Sequence, residues 1–331
     1  MPRCEVVIPY WQREEGVLLR TLTAVFEQTF QDFRVIVVDD ESPCPATIDI
    51  SKLPVDQQQR IEIIEQKNTK QAGARNRGLE ACSPDTLMVA LLDSDDVWDP
   101  EHLARAEALF TQHGVDFYWA SVYVDPKFAE GYALPSAMIQ PELRREIPGT
   151  NGTFEVTNLP KVMCGQWFRH MHLSPTIMSG KVAARVRFNP NFTVAEDFEF
   201  LVKCALEAKK PATTDAVGVY RSVGENIWHG IKSTDALFSR EKYFSMRVLK
   251  RLRRHPRIDE ADKALIDLRI KIYREQFYWA QRACMKQGIG LNFKLWFSWI
   301  AHDPKIIGLF ATRVFQNGKN AERTIIPGDD Q

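Results

Sequence analysis

The chain has 331 residues, 44% of them hydrophobic and 26% charged, and its formal net charge is zero. That length allows one large domain or a domain with an appendage; the composition is that of an ordinary globular chain, and the balanced charge gives no case for a nucleic-acid binder. Six scattered cysteines without a C-x-x-C pair argue against a zinc site or a disulfide framework and fit a reducing, cytoplasmic compartment.

In chain order, CEVVIPYW (4–11) reads as a buried strand. It lacks the apolar stretch of a signal peptide. EEGVLLRTLTAVFEQTF follows, with Leu18, Leu22, Val25 and Phe26 at helical spacing. FRVIVVDDES (33–42) is a second buried strand that ends in acids, and RIEIIEQ (60–66) is a third. KQAGARNRGLEAC (70–82) reads as a helix. MVALLDSDDVWDP (88–100) opens as a strand and breaks off in carboxylates, and a helix is expected from about Pro100 to Gln112. VDFYWASVYVD (115–125) is strand-like. From 126 to 175 Pro, Gly and Asn punctuate the pattern, and loops with short strands are expected. VAEDFEFLVKCALEAKK (194–210) is a helix with two acids in its first turn, and AVGVYRSVGENIWHG (216–230) is a strand running into a loop. Beyond 233 the chain is helical and basic, with RVLKRLRRHPR (247–257) and an aromatic tail, NFKLWFSWIAHDPKIIGLFATRVF (292–315). No stretch approaches the roughly 20 apolar residues of a membrane-spanning helix.

Buried strands alternating with amphipathic helices predict an α/β fold, a doubly wound and largely parallel sheet with helices on both faces. Ligands of such sheets bind outside the carboxyl ends of the strands. Both acidic clusters, Asp39-Asp40 and Asp93-Ser94-Asp95-Asp96, fall at strand ends of that kind.

Three carboxylates at the tip of a core strand repel one another, and burial adds to the cost. Asp93 and Asp95 form a D-x-D whose side chains can meet one hard divalent cation, Mg²⁺ or Mn²⁺, which in turn neutralises a diphosphate leaving group. The alternative is a solvated turn leading to a helix cap at Asp99. Asp39-Asp40 reads either as an acidic turn or as an acceptor for a base N–H or a ribose hydroxyl. Glu196-Asp197 reads either as acids favoured by a helix N-terminus or as a general base.

Taken together and in order, VVIPYW, VIVVDDES, AGARNRGLEAC, VALLDSDDVWDP and VAEDFEF resemble glycosyltransferase family 2, the inverting nucleotide-sugar transferases of GT-A fold. The resemblance covers about residues 4 to 230. It implies a GT-A domain over 1–230 and a helical C-terminal extension over 231–331. It further implies that Pro9, Tyr10 and Asp39, with Asp40 beside it, hold the nucleoside, and that Arg75 meets the donor diphosphate with Asn76 next to it. Asp93 is expected near the ribose and sugar, Asp95 on the metal and Asp96 behind it. Asp197 is expected to be the catalytic base, with Glu196 in reserve, and His229 is the candidate to complete the metal site. The chain lacks the Q-x-x-R-W motif of processive relatives, which implies one sugar per acceptor.

The expected partners are a nucleotide-sugar donor, a uridine diphosphate sugar with glucose as the sugar, and a saccharide or lipid-linked oligosaccharide acceptor. A cytoplasmic protein, peripheral on the inner face of the cell membrane, would use the basic helix and aromatic tail for membrane contact, or for pairing with a second copy. Two other classes compete. A nucleotidyltransferase needs a glycine-rich loop after its first strand, and PYWQREEG is not one. A catalytically silent nucleotide-sugar binding module has no need of both the D-x-D and the Glu-Asp pair. The absence of G-x-G-x-x-G after a strand argues against a dinucleotide-binding dehydrogenase.

Overall fold

A computed structural model of the chain describes residues 2–123, 134–164, 171–221, 232 and 235–313. The chain divides into two compact units, residues 1–191 with 196–225, and residues 192–195 with 226–331.

The first unit opens with β1 (Cys4–Tyr10), α1 (Val17–Phe26), β2 (Phe33–Asp40), the short α2 (Ala46–Ile50) and α3 (Val55–Gln58), and β3 (Ile61–Gln66). Next come α4 (Lys70–Ala81), β4 (Met88–Leu91), β5 (Val97–Trp98), α5 (His102–His113) and β6 (Phe117–Tyr123). The predicted irregular region holds α6 (Pro135–Met138), β7 (Arg144–Glu146), β8 (Thr153–Val156), α7 (Leu159–Cys164), β9 (Thr176–Met178) and α8 (Gly180–Ala183). The unit closes with α9 (Glu196–Glu207) and β10 (Pro211–Tyr220).

The strands form one sheet in the order β3-β2-β1-β4-β9-β6-β10-β8-β7, with β5 pairing β10. The half running from β3 to β4 is parallel, as the alternation of buried strands and helices predicts. β9 then lies antiparallel between β4 and β6, while β6 and β10 are parallel. All seven residues of β1 are buried, which fits its largely apolar sequence, and its one acid, Glu5, is paired with Arg34. Pairing of β1 with β4 stops at Val7 opposite Leu91, two residues before Pro9, which has no N–H to offer a ladder. Leu92 N–H still donates to the Val7 carbonyl (3.1 Å), and the acidic turn begins at Asp93.

Two local features set the helices that flank this edge. Gly16 takes the left-handed conformation (φ 85°) at the start of α1, and the buried Asp49 carboxylate accepts hydrogen bonds from the N–H groups of Gly16 (2.8 and 2.9 Å) and Leu19 (3.2 Å). α4 lies so close to β1 that a Cβ on Gly78 would stand 2.3 Å from Cγ1 of Val7. That approach seats Arg75 and Asn76, one turn earlier, against the sheet.

The second unit contains α10 (Ala236–Leu252), α11 (Glu260–Lys286), α12 (Phe293–His302) and α13 (Lys305–Arg313). α10 packs along α11. The tail tryptophans turn inward: Trp296 and Trp299 are buried, with rings 5.0 and 4.2 Å from Phe277. Much of the basic segment 247–257 is engaged as well. Arg247 lies over the rings of Phe192 and Tyr243, Lys250 pairs with Asp303 at 3.2 Å, and Arg253 forks onto Asp267 at 2.7 and 2.9 Å. These contacts tie part of the basic segment and both tryptophans into this unit, while Arg251, Arg254 and Arg257 are exposed.

Gly78→Ala tests the packing of α4 on β1. Overpacking at a core contact of this kind costs about 1–3 kcal/mol, so urea denaturation should show a loss of that size. A variant as stable as the parent would mean that α4 has room to shift.

Candidate active site

The carboxyl ends of β1, β2 and β4 lie side by side, because β1 pairs with both of the others. The loops leaving them are tied together by side chains. Gln12 N–H donates to Ser42 Oγ (2.8 Å), Ser42 Oγ–H donates back to the Gln12 carbonyl (2.9 Å), and the Gln12 side-chain amide reaches Ser94 Oγ (3.1 Å). Thr21 Oγ1 donates to the carbonyl of Ser94 (2.9 Å), and the Arg20 guanidinium donates to that of Asp95 (2.9 Å). The acidic turn after β4 is thus held from α1 and from the loop after β1.

At the centre is Arg75, on α4 and only 3% exposed. Its Nη2 donates to Asp93 Oδ1 at 2.6 Å, and its Nη1 stands 3.8 Å from Glu196 Oε1. One buried guanidinium therefore joins the D-x-D at the end of β4 to the Glu-Asp pair that opens α9. The guanidinium lies over the ring of Phe188 (5.3 Å), which stacks flat on Phe200 (3.8 Å). Asn76 holds Phe188 by its backbone: its amide donates to the Phe188 carbonyl (2.9 Å) and accepts from the Phe188 N–H (2.7 Å).

The electrostatics follow from this arrangement. Burial works against an ionised Asp93, but the Arg75 charge and hydrogen bond outweigh it and hold the carboxyl below its ordinary value. Asp95 is pushed up, first by burial and then by the charge of Asp93. Burial, then Asp93 and Asp95, push Asp96 up to about 7, against a hydrogen bond from Ser174 and the charge of Arg221. Glu196 is raised by burial and then by Asp197. Without a cation, the cluster resists carrying its full negative charge.

Several residues expected at the donor make contacts within the protein. The Tyr10 ring is buried in the core and its hydroxyl donates to the Cys44 carbonyl (2.8 Å), so Tyr10 braces the loop after β2. Asp39 accepts from the N–H groups of Ser42 (2.8 Å) and Ala46 (2.9 Å), shaping the same loop. Asp40, 2% exposed, accepts from the Gln66 amide (2.7 Å) and the Thr69 N–H (2.8 Å), which fixes the approach to α4. Both amide groups of Asn76 are committed to Phe188, and Arg75 meets Asp93 through Nη2, while its Nε and Nη1 have no hydrogen-bond partner among the described residues. Pro9 is buried in β1, opposite Val38. Asp197 is exposed in the first turn of α9, its Oδ1 accepting from the Phe198 N–H (2.7 Å). His229 lies outside the described residues.

Asp96 is held inside the turn. It is 4% exposed and accepts a 2.5 Å hydrogen bond from Ser174 Oγ, while its other oxygen is 3.9 Å from Arg221 Nε. Its carboxylate braces the turn. Sequence reasoning missed Ser174, whose hydroxyl also accepts from the Asp93 N–H (3.2 Å) and whose carbonyl accepts from Trp98 Nε1 (2.7 Å). Arg221 and His172 were missed too; their side chains meet at 3.4 Å. None of the three stands in a local motif. Only the antiparallel insertion of β9 and the length of β10 bring them to the acidic turn.

A divalent cation fits what remains. Asp95 and Asp93 offer hard oxygen ligands, and no side chain among the described residues hydrogen-bonds the Asp95 carboxylate. Among those residues no group of three or more His, Cys, Asp or Glu gathers to form a closed site. Mg²⁺ and similar ions are commonly held by one or two carboxylates and complete their shell from water and phosphate.

Comparison with known proteins agrees with this geometry. The chain is 34% identical over 313 residues to the succinoglycan biosynthesis protein ExoW of Rhizobium meliloti, an alignment covering 93% of this chain and 96% of that protein. Over a shorter stretch, 107 residues, it is 34% identical to the amylovoran biosynthesis glycosyltransferase AmsB of Erwinia amylovora, covering 30% of this chain and 33% of that one. Among solved structures, Staphylococcus aureus TarS 1-349 in complex with UDP-GlcNAc superposes with a TM-score of 0.61 at 18% identity, over 92% of this chain and 81% of that one. The mannosyltransferase PcManGT of Pyrobaculum calidifontis, in complex with GDP-Man and Mn²⁺, gives 0.56 at 15% identity, over 95% and 81%. Residues 5–172 match the sequence family Glycosyl transferase family 2. With that match, the near full-length relative and a GT-A-like fold, the chain belongs to glycosyltransferase family 2 and is a glycosyltransferase.

Proposed function

We propose that the protein transfers a single sugar, with inversion, from a nucleoside diphosphate sugar to a hydroxyl of a saccharide acceptor during assembly of an exopolysaccharide. The observation that carries this reading is the Arg75 junction, where one buried guanidinium gathers the D-x-D and the Glu-Asp pair. The roles of its relatives in succinoglycan and amylovoran biosynthesis support polysaccharide assembly. A uridine diphosphate sugar is the proposed donor and glucose the proposed sugar; TarS supports the uridine, and the GDP-Man complex of PcManGT makes guanosine the competitor to test. The proposed acceptor is a lipid-linked oligosaccharide. On that reading the enzyme works at the inner face of the cell membrane as a peripheral protein. Among the described residues no helix is long and apolar enough to cross a membrane.

In the proposed mechanism Asp197, exposed in the first turn of α9, accepts the proton of the acceptor hydroxyl. The acceptor oxygen forms its bond to the anomeric carbon as the bond from that carbon to the diphosphate oxygen breaks on the opposite side. Glu196 is drawn toward Arg75, which leaves Asp197 as the base. Asp93, oriented by Arg75, is placed to accept hydrogen bonds from donor hydroxyls. Asp95, with Asp93, would hold the divalent cation, Mn²⁺ or Mg²⁺, whose charge offsets that of the departing diphosphate.

Three measurements test this reading. A panel of nucleotide sugars, assayed for hydrolysis with and without Mn²⁺, should single out a UDP-sugar; activity confined to GDP-sugars would overturn the donor assignment. Asp95→Ala should abolish transfer and weaken donor binding in Mn²⁺, and EDTA should do the same to the parent; turnover that survives chelation would remove the metal from the mechanism. Asp197→Asn should lower turnover by at least about a hundredfold with donor affinity little changed. A larger loss in Glu196→Gln would move the base to Glu196.

A further inference from the structure

The second unit carries a surface that its interior does not explain. α12 divides its side chains sharply. Leu295, Trp296 and Trp299 are buried, whereas Phe293 and Phe297, one turn apart, are 63% and 69% exposed. Ile307 on α13 is 54% exposed, and Met285 and Ile289, just before α12, are 49% and 58% exposed. Five of the eleven exposed large hydrophobic side chains among the described residues thus lie between 285 and 307. Solvated aromatics concentrated in this way mark an interaction surface.

The charge of the same stretch is one-sided. Lys286, Lys294 and Lys305 are exposed. The single acid between 285 and 309, Asp303, is 2% exposed and is taken up by Arg274 (2.7 Å) and Lys250 (3.2 Å). The outer charge is therefore wholly positive. A second copy of the chain on this face would set lysine against lysine, which like-charge repulsion disfavours. An apolar surface studded with cations instead matches a bilayer with anionic headgroups, where aromatic side chains enter the acyl boundary and lysines stay among the phosphates.

We infer that Phe293, Phe297 and Ile307, with Lys286, Lys294 and Lys305, form the face by which this protein docks on an anionic lipid bilayer. The inference rests on the proposed work at the membrane and deepens it by naming the docking surface. α12 has ten residues, about 15 Å of helix, so it lies along the interface and does not cross it.

The test is sedimentation of the full chain with phosphatidylglycerol–phosphatidylcholine vesicles and with pure phosphatidylcholine vesicles, at low and high salt. The parent should pellet with the anionic vesicles, less with the neutral ones, and less at high salt. Phe293→Asp with Phe297→Asp should lower partitioning by at least about tenfold. Reversal of Lys286, Lys294 and Lys305 to Glu should remove the preference for anionic lipid while leaving the apolar residues in place. Nucleotide-sugar hydrolysis, measured on the same samples, reads the catalytic unit separately and should match the parent. Parent protein that stays in the supernatant, or a Phe variant that binds like the parent, would overturn the inference. So would a dimer on size-exclusion chromatography that Phe297→Asp dissociates, since a second copy would then own the face. If circular dichroism shows the Phe variant unfolded, the lysine reversal decides alone, and an unchanged preference for anionic lipid overturns the inference.

Discussion

The site depends on the burial of one guanidinium. A charged group taken out of water is tolerated only with opposite charge and hydrogen bonds around it, and Arg75 finds these in Asp93 and Glu196. The dependence is mutual, since burial works against an ionised Asp93 while the charge and hydrogen bond of Arg75 hold its carboxyl below the ordinary value. Three elements distant in sequence, α4, the tip of β4 and the start of α9, are fixed by that requirement. The supports of Arg75 follow from it: a glycine that lets α4 press on Val7, the stacked rings of Phe188 and Phe200 beneath the guanidinium, and the Asn76 amide that holds Phe188 in place.

Backbone strain gathers around the same place. Among the described residues, three that are not glycine have positive φ: Glu41 at 58°, Lys70 at 67° and Ala195 at 58°. They stand directly after Asp40, at the start of the helix that carries Arg75, and directly before Glu196. Strain of this kind costs about 1–3 kcal/mol per residue and persists where the surroundings over-determine the conformation. Here the determining contacts are visible, in the bonds of Asp40 to Thr69 and in the loop tied by Gln12 and Ser42. Loops built in this way hold their carboxylates in place before any donor arrives, which is the condition for electrostatic preorganisation.

The second unit shows how one aromatic segment serves two ends. The tryptophans of α12 face Phe277 and complete an interior, while the phenylalanines on its other side are exposed. The cations divide likewise. Lys250 and Arg247 of α10 are spent on Asp303 and aromatic faces, Arg253 just beyond it on Asp267, and the lysines near α12 remain exposed.

The sequence by itself determined the parallel half of the sheet, the placing of both acidic clusters at strand ends, the helix that carries Arg75 and the family. These are local properties: apolar runs of strand length, helical periodicity and short motifs whose order is preserved along the chain. It did not determine which acids the scaffold takes up. Asp39 and Asp40 look as available as Asp93 and Asp95 when read along the chain, yet hydrogen bonds from Ser42, Ala46, Gln66 and Thr69 commit them to the scaffold, as one from Ser174 does Asp96. Nor did it separate the inward tryptophans from the outward phenylalanines of α12. Whether a polar or aromatic side chain is spent inside the protein depends on partners dozens of residues away, and only the tertiary structure brings those partners within bonding distance.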